Sequence, residues 1–218
     1  PYAANAQNPA AAFGIGAGEF LTNLQPHPDA YGPCNAGWEC NLLRWLEREG
    51  HDVAYCTNLD THARPELLRR CKAFLSVGHD EYWSWEMRRH VEAARDAGVH
   101  LGFFSANSAY WQVRLEPSPA SGSADRIMVC HKKARRDPLL ASEPRRVTDK
   151  WRSSTVDRPE EQLIGVMYAG DPVDGDIVIT NASHWTFDGT GLADGARLRG
   201  LLGYEVDCVQ GWGPADVQ

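Results

Sequence analysis

The sequence predicts an α/β domain built on a mostly parallel sheet with helices on both faces. Three observations lead there. Apolar strand-like runs alternate with helical periods between residues 53 and 104. The runs at 73–77 and 99–104 flank one amphipathic stretch of crossover length, as parallel neighbours require. Each of these two runs ends in a polar cluster, where open α/β sheets place their ligands.

Residues 1–37 are rich in Ala, Gly, Asn and Pro without a sustained period and read as loop. Within them, Phe13-Gly14-Ile15-Gly16-Ala17-Gly18 lacks a preceding strand, so a phosphate-binding loop is not expected. Trp38, Leu42, Trp45 and Leu46 share one helical face, with Gly50 as a natural stop. Val53 to Cys56 reads as a strand, and Pro65 to Arg70 as a short helix with Pro in its first turn. Ala73 to Val77 is the second strand. The long helix that starts near Ser84 turns Trp83, Met87, Val91 and Ala94 inward and Arg88, Arg89, Glu92 and Asp96 outward. Val99 to Phe104 is the third strand. This order gives two βαβ crossovers, and parallel strands that end on one edge should bring His79 and Ser105-Ala106-Asn107 to one crevice.

The second half is less regular. Residues 115–125 read as a loop and 134–162 as a charged connection, with short strands at 127–131, 163–168, 176–180 and a last one around 204–206. The first helix has no strand ahead of it, so a first strand is expected upstream of Pro1. The 218 residues read as one domain of a longer polypeptide.

Bulk properties narrow the function. A net charge of -7 argues against nucleic acid or an anionic membrane surface as partner. No apolar run reaches the roughly 20 residues of a membrane span, and the N-terminus does not resemble a signal peptide. Cys34, Cys40, Cys56, Cys71, Cys130 and Cys208 form no CxxC pair, so neither a zinc site nor a dense disulfide framework is indicated. Reduced thiols and a cytoplasmic setting are the expectation.

The chemistry-bearing residues concentrate at strand ends. In Gly78-His79-Asp80-Glu81-Tyr82-Trp83-Ser84, Gly78 permits the turn off the strand. His79 and Glu81 alternate and point one way. Asp80 points elsewhere and reads as the cap of the following helix, with Tyr82 and Trp83 as packing at its entry. After the third strand, Ser105-Ala106-Asn107-Ser108-Ala109-Tyr110 repeats the pattern. Asn107 is open to two readings, orienting a carbonyl or water and capping a next helix. Ser105 and Ser108 lack the G-x-S-x-G flanks of a nucleophile elbow. Lys132 follows another strand and by itself reads as solvated surface. His184 reads as a hydrogen-bonded structural histidine. Glu205 lies between Tyr204 and Val206, and a carboxylate inside an apolar segment calls for a partner or a raised pKa.

Together these segments resemble the C-terminal domain of the large (beta) subunit of N,N-dimethylformamidase and its relatives. The matching pieces are Pro1-Tyr2, Arg44 to Gly50, Leu75 to Ser84, Phe103 to Arg114, Met128 to Cys130, Leu163 to Tyr168, and Asn181 to Asp207, nearly the whole chain. The resemblance implies a glutamine amidotransferase-like (flavodoxin-like) fold. It also implies a mononuclear non-haem iron, Fe(III), held by two tyrosines and a glutamate. Glu81 matches the glutamate and Tyr2 one tyrosine; the other tyrosine would lie upstream. His79, Asn107, Lys132 and Glu205 fall where the family places residues around the metal.

The implied activity is hydrolysis of a small amide such as N,N-dimethylformamide to a carboxylate and an amine. Glu205 would serve as general acid or base, Asn107 and His79 would position substrate or water, and Lys132 would stabilise developing negative charge. A small subunit or a second copy of the chain is the implied partner. The alternative is a non-catalytic binding or scaffold domain of the same fold with an incomplete metal site.

Overall fold

The computed structural model describes residues 39–78 and 80–209. The chain enters through helix α1, Glu39–Arg48, and Gly50 stops it by taking the left-handed conformation (φ 76°) that a Cβ would strain. Thr57 and Asp60 form a reciprocal capping box that starts α2, Asn58–Ala63, and α3 follows as Pro65–Leu68. Strand β1, Ala73–Val77, lies parallel to β3, His100–Phe104, with Phe74 opposite Leu101 and Ser76 opposite Phe103. Between them stand a short strand β2, Tyr82–Ser84, and the long helix α4, Trp85–Asp96. This is the expected second crossover.

The rest departs from expectation. Residues 53–56, read as the first strand, lie outside helices and strands. After β3 the chain forms β4, Trp111–Glu116, parallel to β2 and antiparallel to β5, Ile127–Val129. A short helix α5, Glu161–Ile164, precedes a long hairpin of β6, Met167–Val178, and β7, Arg197–Cys208. The fold is therefore mixed α/β with separate sheets of two, three and two strands. It is not the single, mostly parallel, glutamine amidotransferase-like (flavodoxin-like) sheet with helices on both faces. Two causes are visible. Asn107 (φ 58°) and Ala109 (φ 50°) turn the chain sharply after β3, so a strand follows where a helix was expected. The apolar runs of the second half pair with each other in an antiparallel hairpin, so they add nothing to a parallel sheet. The segments expected at 163–168 and 176–180 are parts of α5 and of one continuous β6. The first strand expected upstream of Pro1 lies outside the described residues.

Helix α4 organises the core. Ser84 caps it, its hydroxyl accepting from the Met87 backbone N–H at 3.1 Å. Trp83, Met87, Val91 and Ala94 are all buried, as their spacing predicts, against Leu68, Val99, Val147, Trp151, Val156 and Leu163. Each large apolar side chain so buried contributes about 1.5–3 kcal/mol. The 134–162 connection, charged by composition, thus supplies core residues.

One outward assignment fails: Arg88 is fully buried. Its Nε donates to Glu92 Oε1 at 3.0 Å, its remaining nitrogens donate to the carbonyls of Arg158 and Pro159, and its guanidinium lies 4.8 Å from the Trp151 ring centroid. An arginine can sit there because its polar hydrogens find acceptors. Among the described residues no helix is long and apolar enough to cross a membrane.

Candidate active site

The turn after β1 and the turn after β3 are laced together by backbone bonds. The Asp80 carbonyl accepts from the Ala109 N–H, and the Glu81 carbonyl accepts from Tyr110 and Trp111, all at 2.8 Å. The two polar strand ends therefore share one crevice, as parallel neighbours imply.

Asn107 sits at its centre. Its side-chain nitrogen donates to Glu81 Oε1 at 2.8 Å and to Glu205 Oε1 at 3.0 Å. Its backbone N–H donates to Asp207 Oδ1 at 2.8 Å. The orientation of the amide follows from its neighbours, because only the NH2 end can face two carboxylates. Asn107 is 4% exposed and Glu81 8%, so their contact is sheltered from water, while the contact to Glu205 is part-buried. Glu205 and Asp207 are two residues apart on β7 and so share a face of the strand.

Lys132 does not point to solvent. Its ammonium donates to the Tyr82 hydroxyl at 2.9 Å and lies 4.8 Å from the Trp111 ring centroid. Tyr82 is thus more than packing, whereas Trp83, fully buried, is packing as expected. Burial pushes the Cys130 thiol up to about 11, with Lys132 opposing the shift and Glu81 adding to it. The far wall is aromatic. The Tyr110 ring meets Tyr168 edge to face, and Lys150 Nζ and the Arg152 guanidinium lie 4.9 and 5.2 Å from its centroid. Burial raises the Tyr168 phenol above its usual range, and its hydrogen bond to Asp171 adds to the shift.

Of the sequence-predicted residues, Glu81, Asn107 and Glu205 meet directly, and Lys132 reaches the neighbour of Glu81. His79 and Tyr2 lie outside the described residues. Asp80 is not the helix cap: it accepts from Asn58 at 3.1 Å and from the Ser76 hydroxyl at 2.6 Å. Asn107 caps no helix either, since a strand follows it. His184 accepts from Thr186 within its own turn, a structural contact. Sequence reasoning passed over Asp207, Tyr110 and Tyr168. The Glu205-x-Asp207 alternation was a readable signal for Asp207; nothing in the sequence marked the two tyrosines.

Glu81 has the chemistry of a hard-metal donor. Among the described residues, however, no group of three or more His, Cys, Asp or Glu side chains could hold a metal ion. Of the ligands that the resemblance implies, Glu81 is described, and Tyr2 lies outside the described residues.

The model of the family described as "N,N-dimethylformamidase beta subunit-like, C-terminal" matches residues 3–218. The chain belongs to this family. Over 103 residues it is 31% identical to the N,N-dimethylformamidase beta subunit of Alcaligenes sp and 30% identical to that of Paracoccus aminophilus. The matched stretch is 44% of this chain and spans 13% of each relative. Both relatives are named as subunits. Of the residues quoted for the resemblance, Glu81 and Glu205 are the two that bond the Asn107 side chain.

Proposed function

We propose that this chain is the amide-hydrolysing domain of a dimethylformamidase-like enzyme, one domain of a longer polypeptide, acting on a small N-substituted formamide. One observation carries the reading: a single amide nitrogen, that of Asn107, donates to carboxylates from two distant segments, Glu81 and Glu205. Such a convergence at strand ends, beside an inward-turned lysine, suits acid–base work on a polar substrate.

In this reading the substrate carbonyl faces Lys132. One N–H of its ammonium is engaged by Tyr82, which leaves two for an oxygen that gains negative charge during attack. Glu205, half-buried on β7, takes a proton from the water that attacks the carbonyl carbon and passes it to the amine nitrogen as the C–N bond breaks, and Asn107 fixes its position. The rings of Tyr110, Trp111 and Tyr168 line the aromatic side on which the N-methyl groups would rest. The products from N,N-dimethylformamide are formate and dimethylamine. Iron enters the proposal through Glu81 and Tyr2, with His79 beside it, and would supply a Lewis acid and an activated water. A small subunit or a second copy completes the proposed assembly.

The second reading is a binding or scaffold domain of the same fold with an incomplete metal site. Dimethylamine release from N,N-dimethylformamide, measured beside iron content, separates the two. The hydrolase reading expects turnover that Glu205→Gln lowers by about 100-fold or more, and iron near one per chain that Glu81→Ala removes. Turnover undiminished in metal-free protein would sink the iron. No turnover of any formamide, with or without iron, establishes the binding reading.

A further inference from the structure

Asp207 belongs to no assigned role, yet it is one of the more unusual side chains in the molecule. Its Oδ1 accepts the Asn107 backbone N–H at 2.8 Å, while its Oδ2 is buried without a hydrogen-bond partner. Burial raises its pKa, the Asn107 bond and Arg152 work against that shift, and Glu160 adds to it. A buried, half-satisfied carboxylate needs a reason to stay, because a leucine there would avoid the desolvation.

The reason lies in Asn107. That residue is held at φ 58°, a conformation unfavourable for a side chain with a Cβ. In it the backbone N–H and the side-chain NH2 both face β7, the first bonding Asp207 and the second Glu205 two residues earlier. Fixed at both ends on one strand, the amide keeps its other hydrogen for Glu81. We infer that Asp207 is the positioning residue of the site: by gripping the Asn107 backbone in its left-handed turn it sets the Glu81–Asn107–Glu205 bridge. The role deepens the hydrolase reading and rests on it for its effect on rate, but its geometric content stands apart.

The test uses the full chain carrying Asp207→Leu, Asp207→Asn, Asn107→Gly and the Leu–Gly double variant. Thermal unfolding first establishes that each is folded. Asp207→Leu should lower kcat for dimethylamine release by about tenfold or more with KM within about twofold, and Asp207→Asn, which keeps an acceptor, should restore most of the rate. On the Asn107→Gly background Asp207→Leu should cost almost nothing further, since both act through one amide. Independently of turnover, the Asn107 backbone amide in nitrogen-15 NMR spectra should move upfield in Asp207→Leu and exchange roughly tenfold faster, and return in Asp207→Asn. Multiplicative losses in the double variant, or an unmoved Asn107 amide, would overturn the role. If wild type hydrolyses no amide, the hydrolase reading fails while the NMR outcome still decides this one.

Discussion

Asn107 and Glu205 stand 98 residues apart in the sequence and are joined by a 3.0 Å hydrogen bond. The same nitrogen reaches Glu81, 26 residues away, at 2.8 Å. This one amide ties the β3–β4 turn to the turn after β1 and to the β6–β7 hairpin. Without it two carboxylates would face each other in a sheltered crevice.

Asn107→Asp converts the donor into a third carboxylate among acids. We expect kcat for formamide hydrolysis to fall by about 100-fold or more, because the bridge becomes a repulsion. The variant should also lose about 3 kcal/mol of stability at neutral pH, measured by urea unfolding. An active, fully stable Asn107→Asp would show that the amide bridges nothing that matters.

Arg88 presents a different case, an ion buried for structure. Arg88→Met removes the donors that satisfy Glu92 and the carbonyls of Arg158 and Pro159. The cost should be about 3–5 kcal/mol, since the Arg158 and Pro159 carbonyls lose their donors and Glu92 keeps only Arg158. Chemical denaturation measures it, and a loss below about 1 kcal/mol would place Arg88 on the surface.

Ser84→Ala tests where α4 begins. Loss of the cap should cost about 1 kcal/mol, and slightly more because the Ser84 hydroxyl also bonds His62 at 2.7 Å. Thermal unfolding of the two proteins reads the difference. No loss would return the cap to Asp80.

Acid stability should depend on Asp137. Burial alone would raise its pKa, but hydrogen bonds from Arg114 and from Thr148 and Leu139 hold it at about 2, below the ordinary 3.8. The depressed value means that the folded state binds the proton less readily than the unfolded one. Its contribution is full above the unfolded pKa and is lost as pH falls from about 4 toward 2. That loss amounts to about 2 kcal/mol. Asp137→Asn should flatten the stability profile over that window, and an unchanged slope in acid urea titrations would remove Asp137 from the account.

The sequence by itself determined what depends on local pattern. The period of Trp83, Met87, Val91 and Ala94 fixed the inner face of α4, because a helix must bury one stripe. The spacing of 73–77 and 99–104 fixed one parallel pair, because a crossover helix lies between them. Polar residues at the ends of those strands marked the crevice and, with the family resemblance, picked out Glu81, Asn107, Lys132 and Glu205.

Tertiary structure decided the rest. Two left-handed residues after β3 sent the chain into β4, and the second half closed on itself as a hairpin, so a single parallel sheet was not built. Residue type alone did not reveal these choices, since each depends on which distant strand offers free backbone groups. Arg88 reads as surface in any helical pattern. Only the carbonyls of Arg158 and Pro159, 70 residues on, make its burial affordable. Asp207 likewise acquires meaning only when the hairpin brings it to Asn107, because a hydrogen bond is fixed by position in space and leaves no periodic trace in the chain.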